Sequence, residues 1–136
     1  MDKPPVFLTL TTDFGLQDPY VGQLKGALLK GCPNATIVDL THAIPAWDVA
    51  TAAITIRTSY RFFPDGTMHL IVVDPGVGGG RRDVVLVTRG GTRLVGPDNG
   101  LLLPIPDGGT GQNAPPGVLS RSMTISAKTI SAKTIP

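Results

Sequence analysis

At 136 residues, 41% hydrophobic and 16% charged, the chain has room for one domain and is too apolar to be disordered throughout. Its longest uncharged apolar runs, such as Leu70–Val73 and Val84–Val87, fall far below the roughly 18 residues that span a bilayer, and Met1-Asp2-Lys3-Pro4-Pro5 lacks the layout of a secretory leader. The net charge of +2 includes no stripe of Lys and Arg interleaved with aromatics, which argues against a nucleic-acid surface.

Val6–Thr12 is an apolar, β-branched run that reads as a strand and ends at Asp13-Phe14-Gly15. Asp18-Pro19 then opens a helix, with Asp at the N-cap and Pro at the first helical position. Val21, Leu24, Ala27 and Leu28 follow at helical spacing, and Gly31 closes it. A second strand, Thr36–Leu40, ends in Thr41-His42. Pro45-Ala46-Trp47-Asp48 leads into a second helix that runs to Phe63 and stops at Pro64-Asp65-Gly66. The third strand, Met68–Val73, finishes at Asp74-Pro75-Gly76. This β-α-β-α-β succession predicts an α/β fold, a mostly parallel sheet flanked by helices. Val84–Thr88 and Arg93–Val95, joined across Gly90-Gly91, then predict a closing antiparallel hairpin in which both glycines can supply positive φ.

After Leu103 the character changes. Residues 104–136 are rich in Pro and Gly, hold none of the seven aromatics, and contain Thr124-Ile-Ser-Ala-Lys followed at once by Thr129-Ile-Ser-Ala-Lys. A five-residue repeat matches neither strand nor helix period, so a folded unit over 1–103 and a loosely attached, mostly disordered tail over 104–136 are expected. Nine of twelve Lys and Arg and nine of ten Asp lie in residues 1–103, so the excess positive charge belongs to the tail. A single cysteine, Cys32, permits no internal disulfide, fits a reducing compartment, and makes the cytoplasm the expected location.

In an open parallel sheet, ligands bind beyond the carboxyl ends of the strands. Three such ends carry Asp13, His42 and Asp74, and Pro97-Asp98-Asn99-Gly100 follows the hairpin. Any one of these is ordinary turn chemistry; their succession at strand ends points to a small-molecule site. Asp74-Pro-Gly-Val-Gly-Gly-Gly-Arg81 is not a P-loop, because no Lys-Ser/Thr follows, and it is a poor dinucleotide fingerprint. An acid and an Arg seven residues apart across glycines could instead hold a water or hydroxide by charge-assisted hydrogen bonds. His69, inside a strand, reads as structural, and Cys32, without an adjacent base, as inert. Trp47 reads equally as core or as the flank of a flat ligand. The spacing of His and Asp gives no metal-ligand motif.

Thr12-Asp13-Phe14-Gly15 with Asp18-Pro19-Tyr20-Val21-Gly22, then Asp39-Leu40-Thr41-His42, Asp74-Pro75-Gly76-Val77-Gly78 and Pro97-Asp98-Asn99-Gly100 resemble the S-adenosylmethionine hydroxide adenosyltransferase family, which is related to the fluorinases and chlorinases. The resemblance covers residues 6–103 and implies attack of hydroxide on ribose C5′ of S-adenosylmethionine, giving adenosine and L-methionine with no further cofactor. Carried over by motif, it implies that Asp13 binds the ribose hydroxyls and Asp18 the methionine amino group. Trp47 would line the pocket, with Asp98 and Asn99 also on the substrate. Asp74 and Arg81 would activate water. Asp74 and Val77 fit the hydrolytic branch and not the halogenating one.

Two departures accompany the resemblance. The family's third water-activating residue, a downstream histidine, has no match in His42 or His69. Its C-terminal β-barrel domain, which meets a neighbouring subunit's N-terminal domain in a trimer, is replaced here by the Pro/Gly-rich segment. The sequence therefore suggests a truncated member with impaired hydrolysis and a tendency to form homo-oligomers. A non-catalytic module that binds S-adenosylmethionine or adenosine, or serves assembly, is the first alternative, and a halogenase the second.

Overall fold

The computed structural model describes residues 3–76, 78–80, 82–102, 105 and 123–125. The elements in chain order are β1 (Val6–Thr12), α1 (Tyr20–Gly31), β2 (Ala35–Thr41), α2 (Val49–Ser59) with a 3₁₀ turn at Tyr60–Phe62, β3 (Met68–Val72), β4 (Asp83–Val87), β5 (Arg93–Pro97) and β6 (Met123–Ile125). They form one six-stranded sheet in the order β2-β1-β3-β5-β4-β6. The first four strands of that order are mutually parallel, and β4 is antiparallel to both β5 and β6. The expected α/β class, mostly parallel sheet and antiparallel hairpin are all present.

Two helices cover the sheet from opposite sides. Leu8 and Leu10 pair with Met68 and Leu70, so these residues share one face. Lys25 of α1 reaches that face through Asp39, which lies opposite Leu10 in β2. Ile71 and Leu94 point the other way and form the main core with Ala52, Ile56 and Tyr60 from α2 and its 3₁₀ extension. Burying each large aliphatic side chain there contributes roughly 2 kcal/mol. Among the described residues, no helix is long and apolar enough to cross a membrane.

Several boundaries differ from the sequence reading for local reasons. Helix α1 begins at Tyr20 with Pro19 at the cap position, and Asp18 still accepts the Tyr20 amide at 3.2 Å. Gly31 is the last helical residue and not a left-handed cap; the Cys32 amide closes the helix on the Leu28 carbonyl at 2.8 Å. In the β4–β5 turn the Gly91 amide donates to Thr88 O at 3.0 Å and the Thr88 amide to Thr92 O at 2.9 Å. This is a three-residue loop needing positive φ only at Gly91, which has φ +81°. A Cβ at Gly90 would sit 2.7 Å from a carboxylate oxygen of the exposed Asp65, which would have to swing aside.

Beyond residue 103, Ile105 is buried in the α2-side core, and β6 adds to the free edge of β4. Those residues belong to the folded body. The remainder of the segment read as disordered lies outside the described residues.

Candidate functional site

The contiguous order β2-β1-β3-β5 sets four carboxyl ends side by side. Along that edge, in spatial sequence, come His42, Asp13, Asp74 and Asp98-Asn99, each delivered by a different strand. Asp18 and Trp47 lie in the loops that leave the same edge toward α1 and α2. Arg81 and Val77 lie outside the described residues.

Hydrogen bonds tie the edge loops to one another. The Gly15 amide donates to His42 O at 2.8 Å and the Ile44 amide to Thr12 O at 3.4 Å, stitching the β1 loop to the β2 loop. One oxygen of Asp13, Oδ2, accepts the Trp47 amide at 2.8 Å. Its Oδ1 has no hydrogen bond to any described residue, and Asp13 is half-buried. Trp47 is not core: its side chain is 68% exposed, and its backbone sits at φ +61°. A non-glycine residue held there costs about 1–2 kcal/mol, and such strain clusters at ligand sites.

Asp74 is buried and accepts the Gly76 amide at 2.9 Å, folding the loop back over the end of β3. Asn99 is engaged with the main chain on both ends of its amide. Its Nδ2 donates to Val73 O at 3.3 Å and its Oδ1 accepts the Leu101 amide at 3.2 Å, so the side chain clamps β5 against β3. The Asp98 carboxylate accepts from Arg82 Nη2 at 2.9 Å at the surface, an exposed pair worth at most about 1 kcal/mol. Asp18 is exposed, with one oxygen on the Tyr20 amide.

A second set of polar groups lies beneath the edge. His42 is buried between Thr12 and Asp39, with Nδ1 2.8 Å from Thr12 Oγ1 and Nε2 2.9 Å from Asp39 Oδ1. Lys25 Nζ donates to Asp39 Oδ2 at 2.7 Å. Partial burial pushes the Asp39 carboxyl up, but hydrogen bonds from Lys25 and His42 and their charges outweigh that and hold it below its ordinary value. In the sequence His42 stands out as a strand-end residue, whereas Asp39 is visible only as part of the Asp39-Leu40-Thr41-His42 motif. In a regular strand, residues three apart point to opposite faces. Here β2 carries a bulge: Leu10 pairs with Asp39 but Thr11 pairs with Thr41. The extra residue, Leu40, rotates His42 onto the Asp39 face. No local residue pattern announces that bulge.

Comparison with known proteins decides the family. The model of the SAM hydroxide adenosyltransferase N-terminal domain matches residues 8–126. The chain belongs to the SAM hydroxide adenosyltransferase family. The matched stretch runs past position 103, farther than the motifs alone reach. An (R)-S-adenosyl-L-methionine hydrolase of Thermus thermophilus is 44% identical over 99 residues, covering 73% of this chain and 37% of the relative. A fluorinase of Actinoplanes sp. is 38% identical over 90 residues, covering 63% of this chain and 30% of that enzyme. The crystal structure of an uncharacterized conserved protein from Thermotoga maritima superposes with a TM-score of 0.68 at 37% identity, over 70% of this chain and 36% of that one. The chain thus spans 37% of the length of that hydrolase and 30% of that fluorinase.

Proposed function

We propose that this chain binds S-adenosylmethionine along the carboxyl edge of its sheet and supplies the substrate-holding part of a site that hydrolyses it to adenosine and L-methionine. The observation that carries this reading is the arrangement of Asp13 and Asp74 at the ends of adjacent parallel strands, the first with an oxygen that no described residue engages and the second buried. Asp13 Oδ1 is placed to accept a ribose hydroxyl, and the exposed Trp47 ring offers a face on which a flat group stacks. Asp18, exposed and with one oxygen on the Tyr20 amide, is the carboxylate suited to the methionine ammonium.

The reaction forms a bond between a water-derived oxygen and C5′ as the C5′–sulfur bond breaks. The electron pair moves onto sulfur, which leaves as the neutral thioether of methionine, and the proton lost by the water passes to the Asp74 carboxylate. Because the sulfonium already leaves well, the protein's work is to orient and partly desolvate a weak nucleophile. Good orientation alone can supply several kcal/mol, of the order of 7–11 at best. In this reading Asp74, acting with Arg81, orients the water by charge-assisted hydrogen bonds. The relatives named as (R)-S-adenosyl-L-methionine hydrolases support hydrolysis over halide transfer.

Calorimetry with S-adenosylmethionine, followed by chromatography of the same mixture, tests the reading. Saturable binding with release of adenosine is the expected result. Binding without adenosine would select the non-catalytic alternative, and a 5′-halo-adenosine formed in chloride or fluoride would select the halogenase. We also read Leu16, Tyr20 and Trp47, which are 74%, 59% and 68% exposed, as part of a contact between copies of the chain. Light scattering should then give a mass above that of one chain.

A further inference from the structure

We propose that His42 is the positioning residue for the Asp13 turn, and that the β2 bulge exists to aim it. This rests on the reading of Asp13 as a ligand-holding residue. The geometry shows why the histidine is placed to set the turn. A carboxylate can only accept, so in the neutral imidazole Nε2 carries the proton toward Asp39 and Nδ1 accepts from the Thr12 hydroxyl. The Thr12 oxygen, its own hydrogen committed to His42, presents lone pairs to the Phe14 amide at 3.2 Å. The His42 main chain meanwhile accepts the Gly15 amide at 2.8 Å. One residue therefore holds the turn that follows Asp13 at two points: its ring through Thr12 at Phe14, and its main chain directly at Gly15.

Gly15 has φ +69°, a conformation glycine adopts readily, and its amide finds its acceptor in the His42 carbonyl. Without the bulge between Asp39 and Thr41, the imidazole would face the opposite side of the sheet and reach neither Thr12 nor Asp39. Lys25 and Asp39 complete the arrangement from α1 and β2, fixing the ring by its far nitrogen. The consequence runs on to Trp47, because the Asp13 oxygen that holds its amide moves with the turn.

Substitutions separate the two contacts of the ring. Asn at 42 places an acceptor near the position of Nδ1, whereas Gln reaches toward the position of Nε2. The expected order is that His42→Gln and Thr12→Val each free the turn, while His42→Asn recovers most of the wild-type behaviour. Amide hydrogen exchange on the whole chain reads this without any ligand. Protection at Phe14, whose acceptor is the Thr12 hydroxyl, should fall at least tenfold in His42→Gln and Thr12→Val, with Leu8 and Leu10 unchanged. Uniform loss along β1, or unchanged exchange at Phe14, would overturn the proposal.

Calorimetry with S-adenosylmethionine gives the second measurement. Affinity weakened roughly tenfold in His42→Gln, with His42→Asn close to wild type, supports positioning, since one unmade buried hydrogen bond is of that size. Equal affinity in wild type and His42→Gln would overturn it while leaving the proposed function intact. Wild-type protein that binds no S-adenosylmethionine would instead overturn the proposed function, with the exchange pattern still deciding the role of His42.

Discussion

The two histidines make the same contact in two regions and do opposite things with it. In the middle of the sheet, His69 lies 2.6 Å by Nδ1 from the hydroxyl of Thr9; at the carboxyl edge, His42 lies 2.8 Å by Nδ1 from the hydroxyl of Thr12. Both threonines belong to β1, three residues apart, and point to opposite faces of it. The difference is the second nitrogen. His69 Nε2 is buried with no hydrogen-bond partner among the described residues, and the ring packs edge-on to Phe63 at 5.4 Å and Tyr60 at 6.4 Å. His42 Nε2 meets Asp39, whose own charge is tied to Lys25 near solvent. In both places a β1 threonine anchors the ring, and the surroundings of the far nitrogen differ: aromatic core for His69, a carboxylate near solvent for His42.

The largest expected effect tests the edge. If the carboxyl ends carry chemistry, Asp74→Asn should cut adenosine formation at least 100-fold, in the range for removing a positioned proton acceptor. Its affinity for S-adenosylmethionine should stay within about threefold, as measured by calorimetry. A parallel fall in affinity and rate would make Asp74 a binding residue and leave the edge without a water-activating group.

The next effect tests the middle. Burial pushes the His69 pKa down to about 4 from 6.5. The folded state therefore prefers the neutral ring, and the unfolded chain takes up the proton first. The stability this supplies is complete above pH 6.5 and is lost as pH falls from 6.5 toward 4, amounting to roughly 3 kcal/mol. Urea unfolding at pH 7.5 and pH 4 should show that loss in the wild type, over and above what remains in His69→Gln. Identical pH dependence in the two proteins would mean that the His69 site admits water, and the contrast with His42 would dissolve.

How much of this was legible follows the same division between middle and edge. The strands β1 and β3 announce themselves because a parallel strand covered on both faces must be nearly continuous in Val, Ile, Leu and Thr. Asp13, His42 and Asp74 are found by a rule of topology, that the loops following parallel strands gather at one edge. The rule does not give the direction of a side chain. Asn99, expected on a ligand, is bound at both ends of its amide by backbone, and Asp98 is turned to Arg82. The β2 bulge depends on pairing with β1, which a sequence does not display. Nor does the repeat-bearing segment show that Met123–Ile125 will pair with β4, since main-chain hydrogen bonds at a sheet edge place little demand on side-chain identity.

The smallest effect concerns Trp47, where edge and middle obey opposite rules. In the core, removing a large aromatic side chain costs about 3–5 kcal/mol. Trp47 buries little of its ring and holds its backbone at φ +61°, so a residue that tolerates that conformation should relieve strain at small loss of contact. Asparagine is such a residue. Trp47→Asn is therefore expected to stabilise the fold by up to about 1 kcal/mol, raising Tm by a few degrees. The same change should weaken binding of S-adenosylmethionine roughly tenfold by removing a stacking surface. Calorimetric melting and titration of one preparation measure both. A lower Tm with unchanged affinity would place Trp47 among the packing residues. A higher Tm with weaker binding would mean that the edge holds strain because the ligand needs the ring presented there.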